Sequence, residues 1–536
     1  MSLLEQARAW VAQDPDPKTR SELQKLIDDA DLDQIADRFS QSLQFGTAGL
    51  RGELGAGPNR MNRVIVSYAA LAIARFLVQE RETYASPSGD LSVVIGYDGR
   101  ENSDVFARDT AEILQANGCQ ALLFDRAVPT PVAAFTGKRL SAAATIVVTA
   151  SHNPPRDNGY KVYLGGPNGS SQLISPQDKA IAKLIDEISQ SETFQSIPHS
   201  SDYESLGQSD VDLYIQRAAS LVPKTNQNRA SLNIIHTALH GVGWSVVQKL
   251  FGDLGFGVSA VPEQMMPDSA FPTVAFPNPE EPGAMDLAYE VASELGSDLI
   301  LANDPDADRL AVAVPERNGW RMLTGDQVGL ILADYVASKS QGGTIANSIV
   351  SADLSKIAQS FSLDYQQTLT GFKWISKVPN LIYGYEEALG YCVDPSHTPD
   401  KDGITAALLI AEIAADLKES GGSLAEHLAE IQAKYGEIST GQVSIRVEDL
   451  SIIGKIMGHV RSAPPKEFDG PLTVTDLSTS ENLRTDAVIV ENKLARMIFR
   501  PSGTEPKLKC YLQFNGDETG LTRLKQFATS YLAAAQ

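Results

Sequence analysis

The chain has 536 residues, too many for one compact core and enough for three or four domains at about 150 residues each. Its 45 Lys plus Arg stand against 67 Asp plus Glu, a net charge of −22 that repels nucleic acid and anionic membrane surfaces and excludes them as general partners. With 43% hydrophobic and 21% charged residues, the composition is that of a globular protein able to bury several cores, which excludes a disordered or collagenous chain.

The opening MSLLEQARAWVAQDPDPKTR has neither a basic head nor a sustained apolar run, so no secretory signal is expected. Residues 1–44 read as a helical extension, with modest apolar faces from Leu23, Leu26, Ile27, Leu32 and Ile35 and a break at Pro15 and Pro17. From Leu91 strand and helix signals alternate: LSVVIGYDGR, then helical NSDVFARDTAEILQANG, strand CQALLFD, helical PTPVAAFTGKRL and strand ATIVVT. The serine-rich stretch Ser189–Gln208 reads as a linker. The alternation returns from Leu232 (LNIIH) to SDLILA, and again from GGTIANSIV to the helical DGITAALLIAEIAADLKES, which is interrupted by Glu412 and too short for a membrane span. After Gly441 strands cluster (QVSIRV, LTVTDL, AVIVEN, LARMIFR, LKCYLQF), the pattern of an α+β unit. The expected domains are 1–205, 206–318, 319–438 and 439–536. The first three are α/β units with mainly parallel sheets, whose ligands bind beyond the strand carboxyl ends. Cys119, Cys392 and Cys510 are far apart and odd in number, which points to buried thiols in a reducing cytoplasm.

Four loops carry the chemistry. TASHNPPRDNGYKVY follows a strand, and Ser151 is its candidate nucleophile. His152 is not assumed to be the base, since adjacent side chains diverge and no GxSxG elbow is present. Lys161 can supply a charged donor or a proton-transfer group, or be an ordinary solvated lysine. In NDPDADR, Asp304, Asp306 and Asp308 would spread over roughly 13 Å on an extended strand, so only a tight loop lets them share one cation. Three carboxylates without Cys or His favour a hard ion such as Mg²⁺, and the Gly and terminal Glu of an EF-hand are absent. Arg309 either balances these carboxylates or contacts substrate phosphate.

In GYEEALGY, Glu386 and Glu387 can accept hydrogen bonds from sugar hydroxyls, although such a pair is ordinarily solvated and a glycosidase pair is conceivable. In RPSGTEPKLK, Arg500, Ser502, Gly503, Thr504 and Lys507 make up the donor set a phosphate dianion requires, yet the Walker pattern does not match and a polar hairpin turn is the alternative.

TASHNP, DPDADR, GYEEALG and RPSGTEPK in this order closely resemble the four signature loops of the α-D-phosphohexomutase superfamily, along nearly the whole chain after residue 44. FGTAGLRG (45–52), GPNRMN (57–62), GYDGR (96–100), TGFKWI (370–375) and DKDG (400–403) look most like its longer phosphoglucomutase and phosphopentomutase branch. The resemblance implies an α/β fold of four domains around a central cleft, three of them related and the last α+β. It implies that Ser151 is phosphorylated, that Ser151, Asp304, Asp306 and Asp308 hold Mg²⁺, and that Arg51, Lys161 and Lys373 orient the substrate or move its proton. Thr47, His152, Arg309, Gly371, Glu386, Glu387 and Lys401 would complete substrate binding, with His152 supporting the serine loop. Arg500, Ser502, Gly503, Thr504 and Lys507 would grip the non-reacting phosphate.

The implied reaction is phosphoglucomutase chemistry, interconverting glucose 1-phosphate and glucose 6-phosphate through glucose 1,6-bisphosphate, with small phosphorylated sugars as the partners. Ala388 stands where the commoner GEES-type loop has serine, which removes one sugar-directed hydroxyl and keeps a phosphopentomutase in view. A phosphomannomutase, a sugar-phosphate hydrolase and a non-catalytic phosphosugar-binding protein are also compatible with these loops.

Overall fold

The computed structural model describes residues 2–46, 49–86, 88–447, 449, 451–501 and 507–535. They form two compact units, the first comprising residues 1–323, 381–383 and 389–422, the second residues 324–380, 384–388 and 423–536.

In the first unit, helices Leu3–Gln13, Pro17–Asp28 and Leu32–Phe39 form the expected extension. Ser2, Asp16 and Asp31 cap their N-termini, and Pro17 occupies a first-turn position where its missing N–H costs nothing. Leu23 and Ile35 are fully buried, but Leu32 is 61% exposed. As the first residue of its helix, Leu32 is placed by the cap rather than by a core.

The first sheet contains β1 (Leu50–Glu53), β2 (Ser92–Tyr97), β3 (Gln120–Phe124), β4 (Ala144–Val148), β5 (Asp157–Leu164), β6 (Ser171–Gln172) and β7 (Glu204–Leu206). Their order is β1-β5-β4-β2-β3-β7, with β6 on β5. Val93, Val94 and Ile95 of β2 and Ile146, Val147 and Val148 of β4 are buried on both faces, and each such side chain contributes about 1.5–3 kcal/mol of burial. Helix Arg63–Gln79 is buried on nearly all sides and capped by Asn62, whose side chain accepts from Ile65 N at 3.1 Å. Its all-round apolar face hides the helical period, so periodicity did not reveal it. The stretch expected to be a linker instead ends helix Gln177–Ser191 and then supplies β7, which pairs in parallel with β3.

The second sheet contains β8 (Asn233–Thr237), β9 (Gly257–Ala260), β10 (Leu299–Ala302), β11 (Ala311–Glu316) and β12 (Gly319–Met322), in the order β12-β11-β10-β8-β9. Both sheets are mixed, not mainly parallel. β5 runs antiparallel to β4, and β11 antiparallel to β10. The connections that make these turns, residues 149–156 and 303–310, are each eight residues long. A parallel return needs a crossover of a dozen residues or more, so the chain must double back. These two reversals are the serine loop and the aspartate loop.

In the second unit β13 (Thr344–Ser348) and β14 (Asp364–Thr368) pair in parallel, and β15 (Leu381–Glu386) ends there. The chain then returns to the first unit with β16 (Gly390–Cys392) and helix Gly403–Glu419, whose Glu412 makes a bidentate pair with the fully buried Arg229 at 2.7 and 3.1 Å. The C-terminal sheet, again in the second unit, is antiparallel throughout: β17 (Ser439–Arg446), β18 (Thr473–Asp476), β19 (Val488–Glu491), β20 (Ala495–Pro501) and β21 (Lys507–Phe514), ordered β17-β21-β20-β19-β18. Helices Ser451–Ser462 and Glu518–Ala535 close a core around Phe499, Cys510 and Leu524. The architecture is three α/β units and a C-terminal sheet domain. No helix among the described residues is long and apolar enough to cross a membrane.

Candidate active site: a serine loop and an aspartate loop on adjoining hairpins

The serine loop leaves β4 buried, and Ser151 adopts a left-handed backbone, φ 53°, with its N–H bound to Thr149 Oγ1 at 2.8 Å. A non-glycine residue in that region costs about 1–3 kcal/mol and is held only where its surroundings over-determine it. Its hydroxyl donates to Asp304 Oδ2 at 2.8 Å, and His152 Nδ1 lies 3.2 Å from Ser151 Oγ. Burial first, then the cations Arg309 and Arg51, push the His152 imidazole well below its usual range, which keeps it neutral and favours a supporting contact.

The aspartate loop is equally constrained. Ala307 has φ 55°, and the strand-to-loop segment at Gly241 lies against the loop so closely that a Cβ there would stand 2.3 Å from Pro305 Cα. Asn303 ties the loop ends together: its side-chain NH₂ donates to Arg309 O at 2.6 Å, and its Oδ1 meets His236 Nε2 at 2.8 Å. The tight loop required by the alternating aspartates is therefore present. Asp304, Asp306 and Asp308 are fully buried and offer oxygens within 4.8 Å of one another.

Three cations surround the carboxylates. Lys161, on β5, bonds Asp306 Oδ2 at 2.6 Å and Asp308 Oδ2 at 2.7 Å. Lys401 approaches Asp308 Oδ2 at 3.2 Å, and Arg309 lies 4.0 Å from both Asp304 and Asp308. Burial works against charge on Lys161, but Asp306 and Asp308 outweigh it and hold the amine protonated. Burial likewise opposes ionisation of Asp308, but Lys161, Lys401 and Arg309 hold its carboxyl far below the usual range. Asp304 goes the other way, pushed well up by burial and by the two neighbouring carboxylates. Among the described residues, Asp306 Oδ1 and Asp308 Oδ1 are buried without a hydrogen-bond partner, and such oxygens call for a cation. The donor set fits a hard divalent ion.

Arg51 sits on β1 opposite Gly159 of β5 and donates to Asn153 Oδ1 at 3.2 Å. Burial, only partly offset by Asp306, lowers its pKa, with Arg309 and Arg100 adding to that shift. Lys401 also lies 3.6 Å from its neighbour Asp400, which accepts from Tyr163 OH at 2.6 Å and Gln172 Nε2 at 2.9 Å. The first unit thus brings together Arg51, Ser151, His152, Lys161, Asp304, Asp306, Asp308, Arg309 and Lys401 from separate chain segments. The sequence does not single out Arg100 as a site residue, although its GYDGR motif stands out. The carbonyls its guanidinium binds lie more than 50 positions downstream, so the local sequence does not mark it.

In the second unit, Gly371 has φ 110° and precedes the short helix Phe372–Ile375, which carries Lys373 with its amine 6.0 Å from the Trp374 ring. Glu386 ends β15 and is buried. Glu387 makes a reciprocal pair with Ser351, another residue the sequence does not single out: Ser351 Oγ donates to Glu387 Oε2 at 2.8 Å and accepts from Glu387 N at 2.9 Å. Withdrawal from water, then Glu386 and Asp326, push the Glu387 carboxyl up to about 8. Arg500 on β20 pairs with Lys509 of β21, and Lys507 starts β21 opposite Arg446. The Tyr511 hydroxyl feels Glu387, Arg500 and Glu386 together, so the GYEEALGY glutamates and the arginine of RPSGTEPKLK share one neighbourhood. Thr47, Ser502, Gly503 and Thr504 lie outside the described residues.

Comparison with known proteins agrees along the chain. Residues 42–192, 212–319 and 324–435 match phosphoglucomutase/phosphomannomutase alpha/beta/alpha domains I, II and III. A probable phosphomannomutase of Haemophilus influenzae is 47% identical over 465 residues, covering 85% of this chain and 94% of its own. A probable phosphoribomutase of Schizosaccharomyces pombe is 35% identical, covering 95% and 93%. The crystal structure of a putative phosphomannomutase from Thermus thermophilus shares the fold, with a TM-score of 0.71 at 24% identity over 91% of this chain and 99% of that one.

Proposed function

The chain belongs to the phosphoglucomutase/phosphomannomutase family of the α-D-phosphohexomutase superfamily, and on that basis we propose that it is a phosphoglucomutase, interconverting glucose 1-phosphate and glucose 6-phosphate. What carries this reading is the Ser151 hydroxyl set 2.8 Å from Asp304 beside three buried carboxylates. As an intramolecular phosphotransferase it needs a phosphoryl carrier, charge neutralisation and two ways to seat one sugar.

Phospho-Ser151 gives its phosphoryl group to a sugar hydroxyl: the P–Oγ bond breaks, a P–O bond to the sugar forms, and the hydroxyl proton passes to a nearby base. The glucose 1,6-bisphosphate so formed reorients, and its other phosphoryl group returns to Ser151: that P–O bond to the sugar breaks, a P–Oγ bond forms, and the base gives its proton to the freed sugar oxygen. Asp304, Asp306, Asp308 and Ser151 would hold Mg²⁺, which supplies positive charge to the transferring group. Arg51 and Lys161 add fixed cations on the same side, and Lys373 is the remaining candidate for moving the proton. His152 braces the serine. Glu386 and Glu387 read sugar hydroxyls, while Arg309, Gly371, Lys401 and Thr47 complete the substrate contacts. Arg500, Ser502, Gly503, Thr504 and Lys507 receive the idle phosphate. Positioning and electrostatics do most of the work in phosphoryl transfer, so a site made chiefly of anchored charges suits it. The three cysteines are buried free thiols, in keeping with a cytoplasmic enzyme.

A second reading, a phosphopentomutase, is favoured by Ala388 in place of a sugar-loop serine and by the similarity to a probable phosphoribomutase. Measuring kcat/KM on glucose 1-phosphate and ribose 1-phosphate, with a sugar bisphosphate and Mg²⁺ present, separates the two. A higher value on glucose 1-phosphate is expected. Preference for ribose 1-phosphate replaces the hexose reading, and turnover that survives Ser151→Ala removes the serine carrier.

A further inference from the structure

We propose that Arg100 is the positioning residue of the serine loop and that Phe271 holds Arg100 in place, which rests on reading Ser151 as the phosphoryl carrier. Arg100 follows β2 in the GYDGR turn, and its side chain is 1% exposed. The two terminal nitrogens of its guanidinium are spent on the loop backbone. One donates to Ser151 O at 2.6 Å and Asn153 O at 2.7 Å; the other donates to Pro154 O at 2.8 Å and Asp157 O at 3.1 Å. Four carbonyls of one eight-residue connection and the strand start beyond it thus converge on a single side chain. Only a planar fork with several fixed donors can satisfy that pattern; a lysine ammonium cannot.

The fork is itself aimed by two neighbours. Asp98 stands 3.4 Å from Arg100 Nε, accepts from Arg100 N at 3.0 Å and is tied to Ser103 Oγ at 2.7 Å. The Phe271 ring centre lies 5.0 Å from the guanidinium carbon. Phe271 comes from the segment that follows β9, and nearby Pro267 is packed so tightly on the GYDGR turn that a Cβ at Gly99 would be 2.7 Å from it. The same part of the chain that carries the aspartate loop therefore also braces the residue that shapes the serine loop. Ser151 holds its left-handed backbone because its own carbonyl is fixed by Arg100 and its N–H by Thr149. Release of the carbonyl lets the residue relax and swings Oγ away from Asp304.

This differs from a general contribution to folding, and the difference is measurable. Arg100→Lys is expected to lower kcat by about 100-fold, the order of loss from an ångström-scale misplacement, with KM changed less than about threefold. The rate at which glucose 1,6-bisphosphate phosphorylates Ser151, followed by intact-protein mass, falls by the same factor. Guanidinium ion added to Arg100→Ala restores part of that rate, whereas a merely structural loss is not rescued. Phe271→Leu keeps the arginine but removes the ring, and is expected to cost about 10-fold in the same two rates. A folded Arg100→Lys with wild-type kcat and phosphorylation rate overturns the proposal. If that variant does not fold, an unchanged phosphorylation rate in Phe271→Leu overturns it. Ser151→Ala run alongside separates the two claims: turnover in that variant removes the carrier, while its inactivity beside a fully active Arg100→Lys removes only the positioning role.

Discussion

Ser151 Oγ donates a 2.8 Å hydrogen bond to Asp304 Oδ2 across 153 positions of sequence, joining the turn after β4 to the turn after β10. Each turn reverses the chain between a parallel strand and an antiparallel one, and each contains a residue held at a positive φ. The two strained turns meet where the proposed phosphoryl carrier, Ser151, touches a carboxylate proposed to hold the metal.

Replacing Asp306 with Asn leaves the volume and the Thr130 contact nearly intact but removes one of the carboxylates around the cation position. Turnover is expected to fall by at least about 100-fold, and the Mg²⁺ concentration needed for half-maximal rate to rise. A Mg²⁺ titration of initial rates checks this. Unchanged Mg²⁺ dependence would remove Asp306 from the ligand set.

Lys161→Met strips Asp306 and Asp308 of their closest cation in a fully buried setting. Breaking such a pair costs about 3–5 kcal/mol, because the remaining charges stay buried. The melting temperature in EDTA should therefore drop, and Mg²⁺ should raise it by more in the variant than in the wild type. Differential scanning calorimetry with and without Mg²⁺ reads both.

Glu387 has its pKa raised from 4.5 to about 8, so the folded protein binds a proton there that the unfolded chain has already lost between those two values. Stability linked to this group is thus full below about pH 4.5, declines as pH rises towards 8 and is flat above. Glu387→Gln should remove that decline from urea midpoints measured between pH 5 and 9. It should also retain most activity at pH 7, where the native carboxyl is mainly protonated and the amide carbonyl still accepts from Ser351 while its NH₂ keeps a donor.

Ala388→Ser installs the hydroxyl that the commoner GEES-type loop carries, which the proposed function directs at the sugar. It should raise the ratio of kcat/KM for glucose 1-phosphate over ribose 1-phosphate by about 10-fold, the scale of one well-placed hydrogen bond. A ratio that stays put would place sugar selection elsewhere.

Arg229 and Glu412 form a pair in which each side chain is 1% exposed. Glu412→Gln alone is expected to destabilise by about 3–5 kcal/mol, whereas Arg229→Met with Glu412→Leu is nearly neutral. Denaturant midpoints of the two variants, with activity as a control, decide it.

The chemistry-bearing loops were legible because each is local: a serine flanked by prolines, or three alternating aspartates between apolar runs, declares itself within a dozen residues. Strand direction was not, since the apolar pattern records burial and says nothing about polarity of the chain. Even so, the eight-residue lengths of 149–156 and 303–310 already exclude parallel returns. Arg100 and Ser351 escaped for another reason. Their value lies in partners 51 and 36 positions away, which only the completed sheets bring near. Helix Arg63–Gln79 escaped because a segment buried on nearly every side has no polar face to betray its period.

The first compact unit borrows residues 389–422 from well beyond its main stretch, and with them Lys401 for Asp308, Asp402 for Tyr214 and Glu412 for Arg229. During synthesis, then, a nascent chain that has emerged only as far as residue 323 carries Arg229 and Asp308 before Glu412 and Lys401 exist to meet them. The Lys401–Asp308 contact can form only once residues 389–422 have been made, so a fragment ending at residue 323 lacks it.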